Sequence, residues 1–340
     1  LIKALKNSFF ISKPMTRALI TIGDPSGIGP EVALKAIHKL INENTDFVPI
    51  LIGDETVIKK AKQEFNIREN LSRWGEKAQK DSISFVDAGI IKTDNFQVCK
   101  DNKISGKASF EYLRIAWDML RNNSGDCLVT GPISKTAWAL AKIPYKGHTD
   151  ALSDLSGEET CMLMCAESLR VLLITTHIPM KKIWEYITVN YLFSSTKLTA
   201  EFMKKFTGIT NVRIGFCGLN PHAGESGNIG TEEIDIIKPA IEKLHNHNFC
   251  VSGPYPADSI FKSSLSHNLF DLIVSLYHDQ ALIILKTMFF EKLINITVNP
   301  SGWIRTSPGH GTAFDIAWKN KADPSSMAEA IKTAVEMARK

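Results

Sequence analysis

The chain has 340 residues, 44% hydrophobic and 22% charged, with a net charge of +4. That is a globular composition, longer than one core ordinarily supports, so two domains are expected. No lysine/arginine block supports a nucleic-acid partner, and no apolar run approaches the ~18 residues of a membrane span.

The opening LIKALKNSFFISKP is basic, but its apolar stretch is too short for a secretory leader. Residues 1–14 are read as an extension ahead of a natural start at Met15, and the protein as cytoplasmic; a weak targeting peptide is the competing reading. RALITIG predicts the first strand, running into a helix that starts near Pro30. FVPILIG is the second, followed by a helix from about Asp54, and SISFVDA the third. SFEYLRIAWDMLRN predicts a long amphipathic helix before the strand DCLVTG. RVLLITT, NVRIGFCG, NFCVSG, FDLIVSLY and LINITV follow, with helical segments between most of them, and SSMAEAIKTAVEMARK closes the chain as a helix. This alternation predicts an α/β architecture with a largely parallel sheet, and no repeat or linker marks a domain boundary. Cys99, Cys127, Cys161, Cys165, Cys217 and Cys250 lie mostly inside apolar runs, as buried, reduced thiols do.

The first strand ends in GDPSGIGPEV. Its glycines permit close backbone approach and Pro30 suits a first helical position, so the turn can present free N–H groups to an anion. A tight strand–helix turn with Asp24 as a local cap explains the same residues equally well. The segment is neither a G-x-G-x-x-G fingerprint nor a P-loop. TGPISK offers Ser134 and Lys135 as anion contacts. GHTDAL sets His148 and Thr149 at the start of a short helix, as phosphate donors or as a helix cap. Lys286, Asn295, Arg305 and Thr306 follow in YHDQALIILK and LINITVNPSGWIRTS, where an arginine in a Gly/Pro-rich turn suits a phosphate or carboxylate.

Three histidines stand at strand ends in polar contexts: His177 in LLITTHIPM, His222 in GLNPHAGESG and His278 in SLYHDQ. A lone loop histidine is more often a satisfied polar residue than a ligand. Three in equivalent places, where α/β sheets put their sites, point to a divalent metal with open coordination positions. His38, His245, His247 and His267 read as solvated.

Eight motifs in order, from GDPSGIGPEV through TGPISK, GHTDAL, TTHIP, GLNPHAGESGNIGTEE, PADSIF and YHDQALIILK to RTSPGHGTAFDIA, resemble the 4-hydroxythreonine-4-phosphate dehydrogenase family of vitamin B6 biosynthesis. The resemblance covers the chain from about Arg17 onward. It implies two α/β/α domains like those of isocitrate and isopropylmalate dehydrogenases, with the active site in the cleft between them. One domain would comprise residues 15–135 plus 300–340, the other 136–299. It also implies a homodimer whose active site lies at the subunit interface, NAD or NADP as oxidant, and one divalent metal, zinc, cobalt, manganese or magnesium, imidazole favouring the first three.

On the same basis His177, His222 and His278 would be metal ligands, and His148, Thr149, Lys286, Asn295 and Arg305 would bind substrate. His310, Gly311, Thr312, Ala313 and Asp315 would form the dinucleotide loop, which is similar to HGSAPDIAGK of isopropylmalate dehydrogenases. Asp258 and Asp279 are candidates for the general base, or for orienting a histidine ligand. Two places depart from the family pattern: NPSGW is one residue longer than the usual G-L-P, and Gly309 replaces an aspartate before His310.

The reaction implied is oxidation of 4-phosphohydroxy-L-threonine to 2-amino-3-oxo-4-phosphooxybutanoate, a β-keto acid that loses CO2 to give 3-amino-2-oxopropyl phosphate. Family relatives oxidise 4-phospho-D-threonate or 4-phospho-D-erythronate instead. A metal-dependent hydrolase of a phosphorylated metabolite and a silent binding protein are the rival classes.

Overall fold

The computed structural model describes residues 15–76, 82–93 and 96–340, so the expected extension at 1–14 lies outside the described residues. Among the described residues twelve strands build one sheet: β1 (Thr16–Thr21), β2 (Phe47–Gly53), β3 (Asn70–Arg73), β4 (Ser82–Asp87), β5 (Cys127–Thr130), β6 (Cys161–Ala166), β7 (Leu169–Leu173), β8 (Arg213–Cys217), β9 (Cys250–Tyr255), β10 (Leu272–Ser275), β11 (Ile294–Val298) and β12 (Arg305–Pro308). Their order across the sheet is β3-β4-β2-β1-β5-β12-β11-β6-β7-β10-β8-β9.

From β3 to β12 neighbouring strands run parallel, as they do again from β7 to β9. The pairs β12–β11, β11–β6 and β6–β7 are antiparallel and join the two parallel sets. Covered on both faces, parallel strands read as continuous apolar runs, and Ala18, Leu19 and Ile20 of β1 are wholly buried.

Helices cover the sheet with one apolar stripe each. Gly29–Asn42 buries Val32, Ala33, Ala36, Ile37 and Leu40, at helical spacing, and Ser325–Ala338 buries Met327, Ala330, Ile331, Ala334 and Val335. Burying each large aliphatic side chain contributes about 1.5–3 kcal/mol. The closing helix packs on β1, β5 and β12, so the end of the chain belongs with its beginning. A smaller apolar cluster around Phe261, Ile273 and Leu285 sits beneath the helices Ala257–His267 and His278–Phe289.

Three strands have no counterpart among the expected elements: β3, β6 and β12. β12 reads Arg-Thr-Ser-Pro and all four residues are buried. The strand lies in the middle of the sheet, yet polar side chains fill it. β6 reads Cys-Met-Leu-Met-Cys-Ala, mostly residue types with weak strand preference. All six cysteines are free, and Cys250 is exposed rather than buried. His38 is partly exposed, and its Nδ1 lies 2.6 Å from the buried Glu69 carboxylate.

Candidate active site

The strand ends after β5, β7 and β10 open onto one cleft of about 300 Å³, which β11 and β12 also line. Its centre is Arg305, the first residue of β12, which is 1% exposed. The guanidinium donates to the Thr130 hydroxyl from Nε at 3.1 Å and from Nη2 at 2.5 Å, and to Thr297 Oγ1 at 3.1 Å. Both partners are neutral. Burial pushes the Arg305 pKa down to about 9, and no carboxylate among the described residues counters it. A buried cation held only by hydroxyls is a costly arrangement that a bound anion relieves.

Other polar groups around it are also left unmatched. His148 Nε2, Asn295 Oδ1 and His310 Nε2 are buried with no hydrogen-bond partner. Burial and the nearby Arg305 charge hold the His148 pKa well below its ordinary value, so this imidazole is neutral. The cleft further contains Lys135, Lys146, Thr149 and Lys286. Burial also lowers the Lys135 pKa. Sequence reasoning offered Lys135 as an anion contact, but missed Lys146, Thr130 and Thr297. A threonine on a buried strand gives no signal of its own.

Of the three focal histidines, two meet. His177 and His278 both line the cleft, with ring centroids 5.7 Å apart. Burial, then the charge of Lys135 and the neighbouring His278 ring, lowers the His177 pKa. His278 Nδ1 lies 2.6 Å from Asp279 Oδ1, so it donates to that carboxylate and leaves Nε2 as the lone-pair nitrogen. His222 lies instead in an adjoining cleft with Asp258 and Asp279.

The expected three-histidine cluster is therefore not closed. Among the described residues no three His, Cys, Asp or Glu side chains are grouped to hold a metal. His222 stands in an irregular segment: His222, Ala223, Gly224, Glu225 and Ser226 all have positive φ, a left-handed run. Glu233, itself buried, anchors the entry to that run by accepting the Leu219 and Asn220 N–H groups at 2.8 Å. Asp258 and Asp279 likewise line this second cleft and not the first.

The glycine-rich first turn is structural. Ser26 N–H donates to Asp24 Oδ1, Gly27 N–H to the Asp24 carbonyl and Ile28 N–H to the Thr312 carbonyl, so these donors are already used. A Cβ on Gly23 would stand 2.3 Å from the Pro132 carbonyl oxygen. The turn thus braces two stretches of the site, the lip at 131–132 and the loop at 310–313. Within that loop His310 and Gly311 reach the cleft, Thr312 lies against Gly27, Ala313 has a left-handed φ of 39°, and Asp315 is exposed.

Both departures from the family pattern have a local explanation. Asn299 closes the longer turn, accepting from Gly302 N at 2.7 Å and Trp303 N at 3.1 Å. Strand β11 keeps its pairing, with Asn295 opposite Ser307. At 309, a Cβ would fall 2.7 Å from Leu293 Cγ and 2.8 Å from the Leu293 carbonyl oxygen, so Leu293 occupies the space a larger residue needs.

With this geometry in hand, comparisons with known proteins converge. The family model described as pyridoxal phosphate biosynthetic protein PdxA matches residues 45–334. A 4-hydroxythreonine-4-phosphate dehydrogenase from Sulfurihydrogenibium sp. (strain YO3AOP1) is 40% identical over 96% of this chain and 99% of its own length. A Clostridium botulinum (strain Langeland) relative, whose name assigns it provisionally as a D-threonate 4-phosphate dehydrogenase, is 36% identical over 93% of this chain and 95% of its own. Among solved structures, the 4-hydroxythreonine-4-phosphate dehydrogenase of Klebsiella pneumoniae superimposes with a TM-score of 0.85 at 30% identity, covering 97% of this chain and all of that one.

Proposed function

The chain belongs to the PdxA family of pyridoxal phosphate biosynthetic proteins and is a dehydrogenase, and from that premise we propose that it oxidises 4-phosphohydroxy-L-threonine with NAD or NADP. The product would be 2-amino-3-oxo-4-phosphooxybutanoate, which loses CO2 to give 3-amino-2-oxopropyl phosphate. The observation that carries this reading is Arg305, a buried guanidinium satisfied only by Thr130 and Thr297. A phosphate supplies the missing negative charge, and the unmatched His148 Nε2 lies in the same cleft to donate to it, while the unmatched Asn295 Oδ1 is an acceptor for a donor group of the substrate. Lys286 and Thr149 add a charge and a hydroxyl. Neutral His148 donates a hydrogen bond without adding charge.

His177 and His278, with His222 from the adjoining cleft as third ligand, would hold one divalent ion. The donor chemistry fits: His278 has the carboxylate-oriented imidazole typical of a metal ligand, and His177 faces it. Such an ion supplies Lewis acidity toward a substrate hydroxyl. Asp279 orients His278, while Asp258 and Asp279 remain the base candidates from the adjoining cleft. His310 and Gly311 open toward the cleft, as a dinucleotide-binding loop requires, with Thr312, Ala313 and Asp315 continuing it.

The reading includes two units, 15–135 with 300–340 and 136–299, and a homodimer in the cytoplasm with the site at the interface. In support, Met180, Trp184 and Tyr186 are exposed immediately after His177, where a second copy would cover them. No helix among the described residues is long and apolar enough to cross a membrane.

The test is nicotinamide reduction followed by absorbance, with 4-phosphohydroxy-L-threonine, 4-phospho-D-threonate and 4-phospho-D-erythronate, each with and without chelator. Chelator-sensitive reduction with the amino-acid phosphate is expected. Reduction with a D-acid phosphate alone would move the substrate and keep the chemistry. Silence on all three, after metal is restored, would end the proposal.

A further inference from the structure

The loop read as dinucleotide-binding leaves the cleft at Gly311 and continues without regular secondary structure. Its internal backbone bonds run from Ile316 N–H to the Ala313 carbonyl at 3.1 Å and from Lys319 N–H to the Ile316 carbonyl at 3.3 Å. Ala313, Trp318 and Asn320 have left-handed φ of 39°, 59° and 58°. A residue as bulky as tryptophan is an outlier there, and such outliers persist only where the surrounding contacts impose them.

Those contacts surround Trp318. Its Nε1 donates to the Pro25 carbonyl at 2.9 Å. Its ring packs on Phe65 and Phe96, with centroids 5.5 and 5.4 Å away and the second contact edge-on. On either side, the Cys99 thiol donates to the Ala317 carbonyl at 3.3 Å, and Ala322 N–H donates to the buried Glu31 carboxylate at 2.8 Å. Pro25 belongs to the first turn, where Asp24 N–H donates to the Pro132 carbonyl at the cleft lip. The indole therefore fastens the far end of the loop to the turn that also holds the lip, while His310 and Gly311 line the cleft at the near end.

We propose that Trp318 is a positioning residue for the dinucleotide: its ring, packed on Phe65 and Phe96 and bonded to Pro25, holds the loop 310–315 in the shape that receives the cofactor. The proposal rests on the dehydrogenase reading above. Trp318 is not among the residues that line the cleft, so it acts through the loop and not on the reacting atoms. Arg305, Asn295 and His148 stand on strands and a helix outside this loop, so substrate binding should not follow its loosening.

The experiment compares wild type with three variants. Trp318→Phe keeps an aromatic ring and removes the donor to Pro25. Trp318→Gly tolerates the left-handed φ and removes the grip altogether. Phe96→Leu leaves Trp318 in place and takes away its edge-on partner. Calorimetry gives the Kd of NADH and of NADPH without substrate, hydrogen exchange follows the amides of 312–319, and absorbance gives the KM for nicotinamide and for the phosphorylated substrate. Trp318→Phe and Phe96→Leu should each weaken the dinucleotide roughly 2- to 10-fold, and Trp318→Gly roughly 10- to 100-fold. Amide exchange should quicken in the same order, with the KM for the phosphorylated substrate nearly constant. Trp318→Phe and Phe96→Leu carry the test should the glycine variant fail to fold.

Unchanged dinucleotide affinity in a variant whose loop amides exchange faster would overturn the assignment, make the aromatic cluster a structural support and leave the dehydrogenase reading standing. Equal rises in both KM values would also overturn it. Wild type that binds neither NADH nor NADPH would overturn the proposal and the oxidation reading together. Wild type that binds a dinucleotide through Trp318 yet oxidises none of the phosphorylated substrates would overturn the oxidation reading alone.

Discussion

Two clefts meet at the start of the helix His278–Phe289, and they are built differently. His278 faces the first and Asp279 the second. The first takes Arg305, Asn295 and Thr130 from strands whose backbones are fixed by ladder hydrogen bonds on both sides. The second takes His222 from five successive left-handed residues, held at their base by Glu233. The anion-binding half is therefore preorganised by the sheet. The third histidine depends on an irregular segment, where positive φ costs energy at each non-glycine position. Rigid elements hold a constellation more accurately than loops do, so the two halves should respond differently to mutation.

The largest effect is expected at Arg305. Arg305→Met keeps much of the volume and removes the charge. Losing a buried charged partner costs roughly 3–5 kcal/mol in binding, about a 10²- to 10⁴-fold drop in kcat/KM for the phosphorylated substrate. The thermal midpoint of the unliganded protein should stay level or rise, because an unpaired buried cation has been removed. A markedly lower midpoint would make Arg305 a structural residue and break the contrast between the clefts.

His222→Ala comes next. The residue is exposed, so folding should be unaffected, while bound metal and activity should fall together, by about 100-fold or more in affinity. Metal content by mass spectrometry and turnover are read on the same sample. If the variant turned over like wild type after metal stripping, the third ligand would not be His222 and the second cleft would lose its assigned role.

Much of the sheet was legible because buried parallel strands are apolar throughout, as FVPILIG and LINITV are. β12 was not, for the reason that makes it useful: Arg305 and its neighbours put polar groups in the middle of the sheet, erasing the pattern that identifies a strand. The site was legible where motifs carried it, and His148, Thr149, Lys286, Asn295, Arg305 and His310 do share one cleft. The place of His222 was not, because a left-handed run is a backbone property that PHAGES does not announce. Nor was the use of the GDPSG donors, since free and occupied N–H groups look alike in a sequence.

The smallest effect sharpens the comparison from beneath the first cleft. Asp24 is fully buried, with Oδ1 accepting from Ser26 N–H at 2.8 Å and Oδ2 from the Ser105 hydroxyl at 3.4 Å. Its own N–H donates to the Pro132 carbonyl, so it supports the cleft lip without entering it. Burial raises the carboxyl from 3.8 to about 6, against the pull of those hydrogen bonds. The folded state therefore holds this proton more tightly than the unfolded chain does. The stabilisation from that proton is complete below about pH 4 and is lost as pH rises through about 6. A shift of this size corresponds to something on the order of 3 kcal/mol. Asp24→Asn can keep both contacts, its amide oxygen accepting from Ser26 and its NH2 donating to Ser105. Thermal midpoints measured from pH 4 to 8 should coincide for the two proteins at the acid end, diverge between about pH 4 and 6 and keep a constant gap above that, with the variant more stable. Turnover should change far less than at Arg305, because the Pro132 contact runs through the Asp24 backbone. Midpoint curves that run parallel through the whole range from pH 4 to 8 would show that Asp24 is not the titrating group. A large loss of turnover with unchanged midpoints would extend the preorganised half of the site down into the first turn.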